Sequence, residues 1–360
     1  GGDGVQQLLA ACTACGVMCG IFFILRDRPL QVRLAACGFV TALVSTQLLM
    51  KGLQSQPFSF RFPATVTSLH FLSVWSVSVG YWWVRRDLRK CLPSSIGPPA
   101  RFARFVVPIA LSLPMSVAFN NKALLFMGAG LNGIFGTVAP VATAVLQHAS
   151  GRRIPPRGWV GVCVAFLGAT IIGVGELQGF AAAGAGAGLS DNHPDNLAVG
   201  FMFAVAAVVL RATKCILQDQ LVEPSAYARS CAPVSPMHAW AVQGLPCLAV
   251  SVLYAAWSES LADAYAGLSW DVLMPLSASC LSATALNLLG MFTIQQLGAS
   301  SMTIVGKLNT IILVAFSAAF LGERLQPAVV LGAAVVLVGV ALFEHEAAKA
   351  REKSAPRLPR

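Results

Sequence analysis

Two stretches of the chain, GRRIPPRGWVGVCVAFLG at 151–168 and GERLQPAVVLGAAVVLVG at 322–339, align when the sequence is slid against itself by 171 residues. Gly151, Arg153, Pro156, Gly161 and Gly168 then fall on Gly322, Arg324, Pro327, Gly332 and Gly339, with Ile154 on Leu325. A shift of 170 sets Gly136 on Gly306. Loops between membrane helices share Gly and Pro by composition alone, but an Arg held in register with the glycines favours duplication.

The surroundings of this repeat are apolar. Of 360 residues, 56% are hydrophobic and 11% charged, with a mean hydropathy of +0.70, whereas a soluble domain carries about 25% charge. Apolar runs near the length a bilayer requires occur at 5-25, 34-52, 63-84, 104-127, 131-149, 156-176, 197-220, 238-258, 271-293, 301-321 and 326-343. None shows strand-like alternation, and Gly and Pro are tolerated inside membrane helices. The expected fold is an all-α polytopic membrane protein: a ten-helix bundle of two inverted five-helix repeats, with one extra N-terminal helix if 5-25 spans.

Five helices in each half force the second copy upside down. The expected organisation is an N-terminal apolar segment and loop at 1-33, a first repeat at 34-176, a Gly/Ala-rich lumenal loop at 177-196, a second repeat at 197-343 and a basic tail at 344-360. Segment 5-25 reads as an extra helix or a targeting segment, although residues 1–4, Gly-Gly-Asp-Gly, lack the basic start of a signal peptide. Inverted repeats are a hallmark of secondary transporters, whose substrate site lies near the midplane between the halves.

Charge fixes an orientation. There are 25 Lys and Arg against 15 Asp and Glu, a net charge of +10. If every segment spans, the connections on one side hold 18 basic residues and those on the other hold only Arg61 and Arg324. The rich side, with the C-terminus, is expected to be cytosolic. A nucleic-acid partner is excluded, because too little polar sequence remains to build a solvated basic face.

The five remaining cations, Lys51, Lys122, Arg211, Lys214 and Lys307, fall inside predicted helices. No acid is expected at a helix centre, Asp219 lying at the cytosolic end of its helix. A cation at a helix centre costs roughly 2.5–3.5 kcal/mol on insertion scales, so such residues are expected to face a watered cavity or an anion. Lys51 sits one residue from its helix end and reads first as a snorkeller. Arg211 lies about nine residues in, roughly 14 Å at helical rise, and is the hardest to explain that way. Arg211, Lys214 and Gln218 share a helix face, as do Thr303, Lys307, Thr310 and Ser317. Interhelical hydrogen bonding is the plain alternative for such stripes. Asn120, Asn121 and Asn287 either pack helices or read a base or sugar hydroxyl.

Most of the ten cysteines fall within helices and read as small apolar packers. Cys12, Cys15 and Cys19 have helix-face spacing but no His or carboxylate in their segment, so no metal site is expected. The five histidines are scattered, which leaves no cluster for an integral-membrane enzyme; His70 and His148 read as packing residues. A proton-coupled exporter would want an intramembrane carboxylate. No catalytic residue and no cofactor is expected.

Several short elements, taken in order, resemble the nucleotide-sugar and triose-phosphate translocator branch of the drug/metabolite transporter superfamily. They are Phe62-Pro63 with Thr65, Thr67 and His70; Asn120-Asn121-Lys122-Ala123-Leu124; Gly136 through Pro140-Val141; Gly200-Phe201 with Arg211; Leu286-Asn287; and Ser301-Met302-Thr303-Ile304-Val305-Gly306-Lys307-Leu308-Asn309-Thr310. The resemblance runs from about 34 to 343. It implies exchange of a nucleotide sugar for a nucleoside monophosphate by alternating access, in a Golgi or endoplasmic reticulum membrane.

On that resemblance the substrate-binding residues are Arg211, Lys214, Lys307, Asn309, Thr310, Gly306, Lys122, Asn120, Asn121, Asn287, Thr303 and Lys51. Arg and Lys would neutralise phosphates, Gly306 would allow close approach, and Asn309 or Thr310 would hydrogen-bond the ligand. The sequence departs from the plastid pattern, which has adjacent Lys-Arg in the ninth helix, and from the Gly-Ala-Leu-Asn-Lys of GDP-mannose carriers. The first-helix Asn-Lys pair is also missing, with Met50-Lys51 or Thr46-Gln47 in its place. A plastid-envelope sugar-phosphate/phosphate translocator is the alternative within the class, and a membrane receptor or scaffold without transport the alternative outside it. Membrane lipid is the other expected partner, and a homodimer is left open.

Overall fold

A computed structural model describes residues 15–54, 58–182, 194–224, 232–309, 311–312 and 327–354. Every regular element among the described residues is helical. Short helical turns aside, the helices in chain order are α1 (Cys15–Ile24), α2 (Leu30–Gln54), α3 (Pro63–Val84), α4 (Val107–Gly136), α5 (Ala139–Ala149), α6 (Pro156–Ala182), α7 (Pro194–Val222), α8 (Pro236–Ser258), α9 (Trp270–Leu297), α10 (Ala299–Gly306) and α11 (Pro327–Ser354). Among the described residues, seven helical stretches are long and apolar enough to cross a membrane. The protein is a polytopic helical bundle, and its surface agrees with a lipid setting. Leu253, Met274 and Leu281 are exposed along the helices, while Trp257, Tyr265 and Trp270 are exposed near helix ends, where amphipathic rings favour the interface.

Proline marks the start of many of these helices, as at Pro63, Pro156, Pro194, Pro236 and Pro327, where its missing N–H would be unsatisfied in any case. Inside α4, α8 and α9 the prolines Pro114, Pro246 and Pro275 are carried within continuous helix. Two boundaries differ from the sequence reading. The break expected near 128–130 is helical, and the first non-helical residues after it are Thr137 and Val138. The last helix, expected to end at 343, continues to Ser354. Alanines at 341, 347, 348 and 350 favour helix there, and Phe343 and Ala347 pack into the core with α1.

That extension carries Glu344 into the stretch Leu331–Ala350, which is apolar enough to span. The side chain is buried, at 4% exposure. Absence of an intramembrane carboxylate therefore no longer argues against proton coupling.

The packing follows an internal exchange. The heaviest contacts are α6 with α11, α4 with α7, α2 with α9, and α3 with α8, followed by α3 with α9 and α4 with α8. Replacing each helix by the one five places along turns α4–α7 into α9–α2 and α3–α9 into α8–α4, while α6–α11 and α3–α8 map onto themselves.

The α6–α11 crossing obeys the same exchange residue by residue. A Cβ at Gly161 would lie 2.6 Å from Phe343 N and 2.9 Å from Gly339 O, and one at Gly332 would lie 2.9 Å from Ile172 N and 2.7 Å from Gly168 O. A Cβ at Gly168 would meet Val336 N at 2.6 Å, and one at Gly339 would meet Ala165 N. Adding 171 to residues 161, 165, 168 and 172 gives 332, 336, 339 and 343, so each contact has an image. Glycine here lets two backbones touch, which drives association in a solvent as apolar as the side chains.

Candidate functional site

The amides and cations singled out in the sequence lie on α4, α7 and α9 and on the stretch beginning at α10, except for Lys51 on α2. Asn120, Asn121 and Lys122 are half-buried on α4, and Arg211 and Lys214 are half-buried on α7, which packs along α4. Among the described residues, no carboxylate pairs with Lys122, Arg211 or Lys214; the ion pairs are Arg26–Asp27, Arg152–Asp219 and Lys349–Glu346. Lys214 lies within electrostatic range of Cys247, which is fully buried on α8. Gln218, one turn along from Lys214, is buried.

Lys307 follows the end of α10 directly. Its Nζ lies 3.6 Å from the position a Cβ would take at Gly136, so the two glycines of the 170-residue shift, Gly136 and Gly306, both border this lysine. A Cβ at Gly306 would lie 3.5 Å from the Phe39 ring of α2. Asn309, at 6% exposure, donates from Nδ2 to Gln47 Oε1 on α2 at 3.0 Å. Gln47 was visible in the sequence only as a stand-in for a missing Asn-Lys pair; the structure makes it the partner of a predicted site residue.

Two predicted residues direct their polar groups elsewhere. The Asn287 amide donates to Ala283 O on its own helix at 2.8 Å, and its backbone carbonyl accepts from Trp240 Nε1 at 3.0 Å. Thr303 donates to Ser300 O at 2.9 Å within α10. Thr310 lies outside the described residues, as does the side chain of Lys51. His70 is a packing residue, hydrogen-bonded through Nε2 to Ser279 of α9 at 2.8 Å.

The structure adds two carboxylate clusters absent from the sequence reading, one at each end of the bundle. Arg152 Nη1 lies 2.8 Å from both carboxylate oxygens of Asp219, whose side chain is fully buried at the end of α7. Asp219 Oδ2 also accepts the Ala299 N–H at 3.1 Å, and Gln147 Oε1 of α5 accepts the Ser300 N–H at 3.0 Å. Two otherwise orphan donors at the start of α10 are thus met by side chains of α7 and α5. Gly298, at φ +93°, carries the chain from α9 into α10, and a Cβ there would lie 2.8 Å from Arg152 Cζ. At the opposite end, Glu259 accepts the backbone N–H groups of Ala64 and Thr65 at 2.7 and 2.9 Å and the Thr65 hydroxyl at 2.8 Å, binding the start of α3 to the end of α8.

Fold and site together define a polytopic helical bundle with cations in its spans, which is the outline of a membrane transporter. Residues 197–344 match the EamA-like transporter family. Solute carrier family 35 member F6 of Rattus norvegicus and of Mus musculus are each 22% identical over 309 residues, covering 80% of this chain and 79% of the relative. A solved crystal structure superposes with a TM-score of 0.61 at 15% identity, over 89% of this chain and 98% of that one, a likeness of fold. The match over residues 197–344 and the distant solute-carrier relatives support a membrane transporter.

Proposed function

We propose that the chain exchanges a nucleotide sugar for a nucleoside monophosphate across a Golgi or endoplasmic reticulum membrane by alternating access between two inverted halves, 34-176 and 197-343. The observation that carries this reading is the set of half-buried cations, Lys122 on α4 with Arg211 and Lys214 on α7, on helices that pack together and without a described carboxylate partner. Phosphate oxygens are the complement such cations require, since burying them unmatched is costly. Lys307 beside Gly136, and Asn309 with Gln47, add a charged and a neutral polar group where the stretch beginning at α10 meets the first half. The exchange of helix contacts supports the two halves, and the 18 to 2 division of basic residues supports a cytosolic C-terminus.

Coupling follows from charge. A filled cavity is neutralised and rocks between its two openings, whereas an empty cationic one resists closing, so each passage needs a ligand.

The test is uptake into liposomes preloaded with nucleoside monophosphates, screened with labelled nucleotide sugars and sugar phosphates. Trans-stimulated uptake of a nucleotide sugar is expected. Arg211→Ala and Lys307→Ala should each lower it about tenfold or more while leaving membrane insertion intact, the scale of one lost charge-assisted hydrogen bond. Folded protein that shows no trans-stimulation with any phosphorylated ligand sinks the proposal.

A further inference from the structure

Helix α1 and the turn after it build a cavity remote from the cations discussed above. Val17, Ile21 and Leu25 are buried in one cluster with Val336, Val340 and Phe343 of α11, so α1 packs against the last helix. Where α1 ends, the turn 26–28 and α11 enclose a cavity of about 370 Å³. Phe23, Val338 and Leu342 form an apolar wall and are themselves exposed on the membrane-facing surface. Arg26, Asp27, Arg28, Glu344 and His345 supply the polar part.

Two groups in that wall are unsatisfied. Both carboxylate oxygens of Glu344 are buried without a hydrogen-bond partner, and so is Nη2 of Arg28. No ion pair joins them among the described residues, and Arg26 pairs only loosely with Asp27, at 3.8 Å. Opposite charges that line one cavity without meeting call for a ligand bearing both signs. An apolar wall open to the bilayer calls for one with hydrocarbon chains.

We propose that this cavity binds a glycerophospholipid whose headgroup carries a free ammonium, of the phosphatidylethanolamine class. The phosphate lies against Arg28 and Arg26, the ammonium donates to Glu344, and the acyl chains run over Phe23, Val338 and Leu342. A choline headgroup has no N–H to donate, and a glycerol headgroup has no cation, so either leaves Glu344 unmatched. The ligand is thereby specified by chemistry rather than by charge alone.

The test uses the full chain, stripped of lipid in mild detergent and titrated with phosphatidylethanolamine, phosphatidylcholine and phosphatidylglycerol of matched acyl chains, with bound lipid counted by native mass spectrometry. The ethanolamine lipid should be retained at a concentration about tenfold lower than the other two, the scale of one charge-assisted hydrogen bond. Glu344→Gln should level ethanolamine and choline, and Arg28→Gln should weaken all three. Val338→Trp fills the apolar wall from its exposed side and should expel the lipid with Glu344 intact, which keeps the test alive if Glu344→Gln misfolds. Equal retention of ethanolamine and choline lipids by the native chain, stronger retention of the glycerol lipid, or an unchanged preference in folded Glu344→Gln overturns the proposal.

Discussion

Asp219 and Glu259 each lend a carboxylate to the start of a helix distant in sequence, but under different conditions. Asp219 is fully buried, pairs with Arg152 and caps α10; Glu259 is half-buried, caps α3 with three hydrogen bonds and has no cation partner among the described residues. Between them, the α6–α11 crossing is alike on its two faces, its closest backbone contacts having images 171 residues away. Arg152 has no such image, since the same shift sets it on Glu323. A duplicated core of touching backbones suits a pivot, whereas the ends of an alternating-access carrier must open in turn and gain from being unequal. The Arg152 end is the stronger lock, because separating a buried charge pair strands both charges away from water.

The largest expected effect comes from stranding one of them. Arg152→Gln takes the paired cation away from the buried Asp219 carboxylate and should destabilise the fold by about 3–5 kcal/mol, read from denaturant titration in micelles. Adding Asp219→Asn removes the uncompensated charge and should restore much of that loss. A cost below about 1 kcal/mol for Arg152→Gln would place this pair among weak surface bridges and erase the contrast between the ends.

An intermediate effect is expected at the crossing. Gly161→Ala and Gly332→Ala push a methyl group against facing backbone and should each cost about 1–3 kcal/mol. As images of one another they should cost alike, and since their close contacts are separate, the double substitution should equal the sum to within about 0.5 kcal/mol. A large loss at one and none at the other would break the symmetry that sets the crossing apart from the ends.

The glycines of the crossing were legible in the sequence, while their pairing and the locks were not, for a physical reason. Gly161, Gly168, Gly332 and Gly339 lie on local apolar periodicity, so sliding the sequence on itself finds them, but only the packing of α6 on α11 makes them partners. Lys122, Arg211, Lys214 and Lys307 were legible as cations because a lone charge in an apolar run stands out. Arg152 and Asp219 are 67 residues apart, and nothing in either neighbourhood names the other; Arg152 reads as one more basic residue of a positive loop. Glu259 sits in a connection where an acid needs no explanation. The continuation of α11 to Ser354 escaped for another reason. Its charges lower the hydropathy after Phe343, while Phe343 and Ala347, packed into the cluster that includes α1, hold the helix through them.

The smallest effect tests whether the ends act separately. Glu259→Gln keeps an acceptor for one N–H of α3 but removes the negative charge facing a helix N-terminus, a loss of about 1 kcal/mol. Global stability will barely register it, so the measurement is hydrogen exchange at individual amides. Exchange at Ala64 and Thr65 should speed up about fivefold, which is what 1 kcal/mol amounts to, while Ala299 and Ser300 at the Arg152 end keep their protection. If loosening the weak end instead exposed all four amides together, the two ends would be one cooperative unit. The bundle would then open as a whole, and the proposed exchange could not keep one gate shut while the other turned.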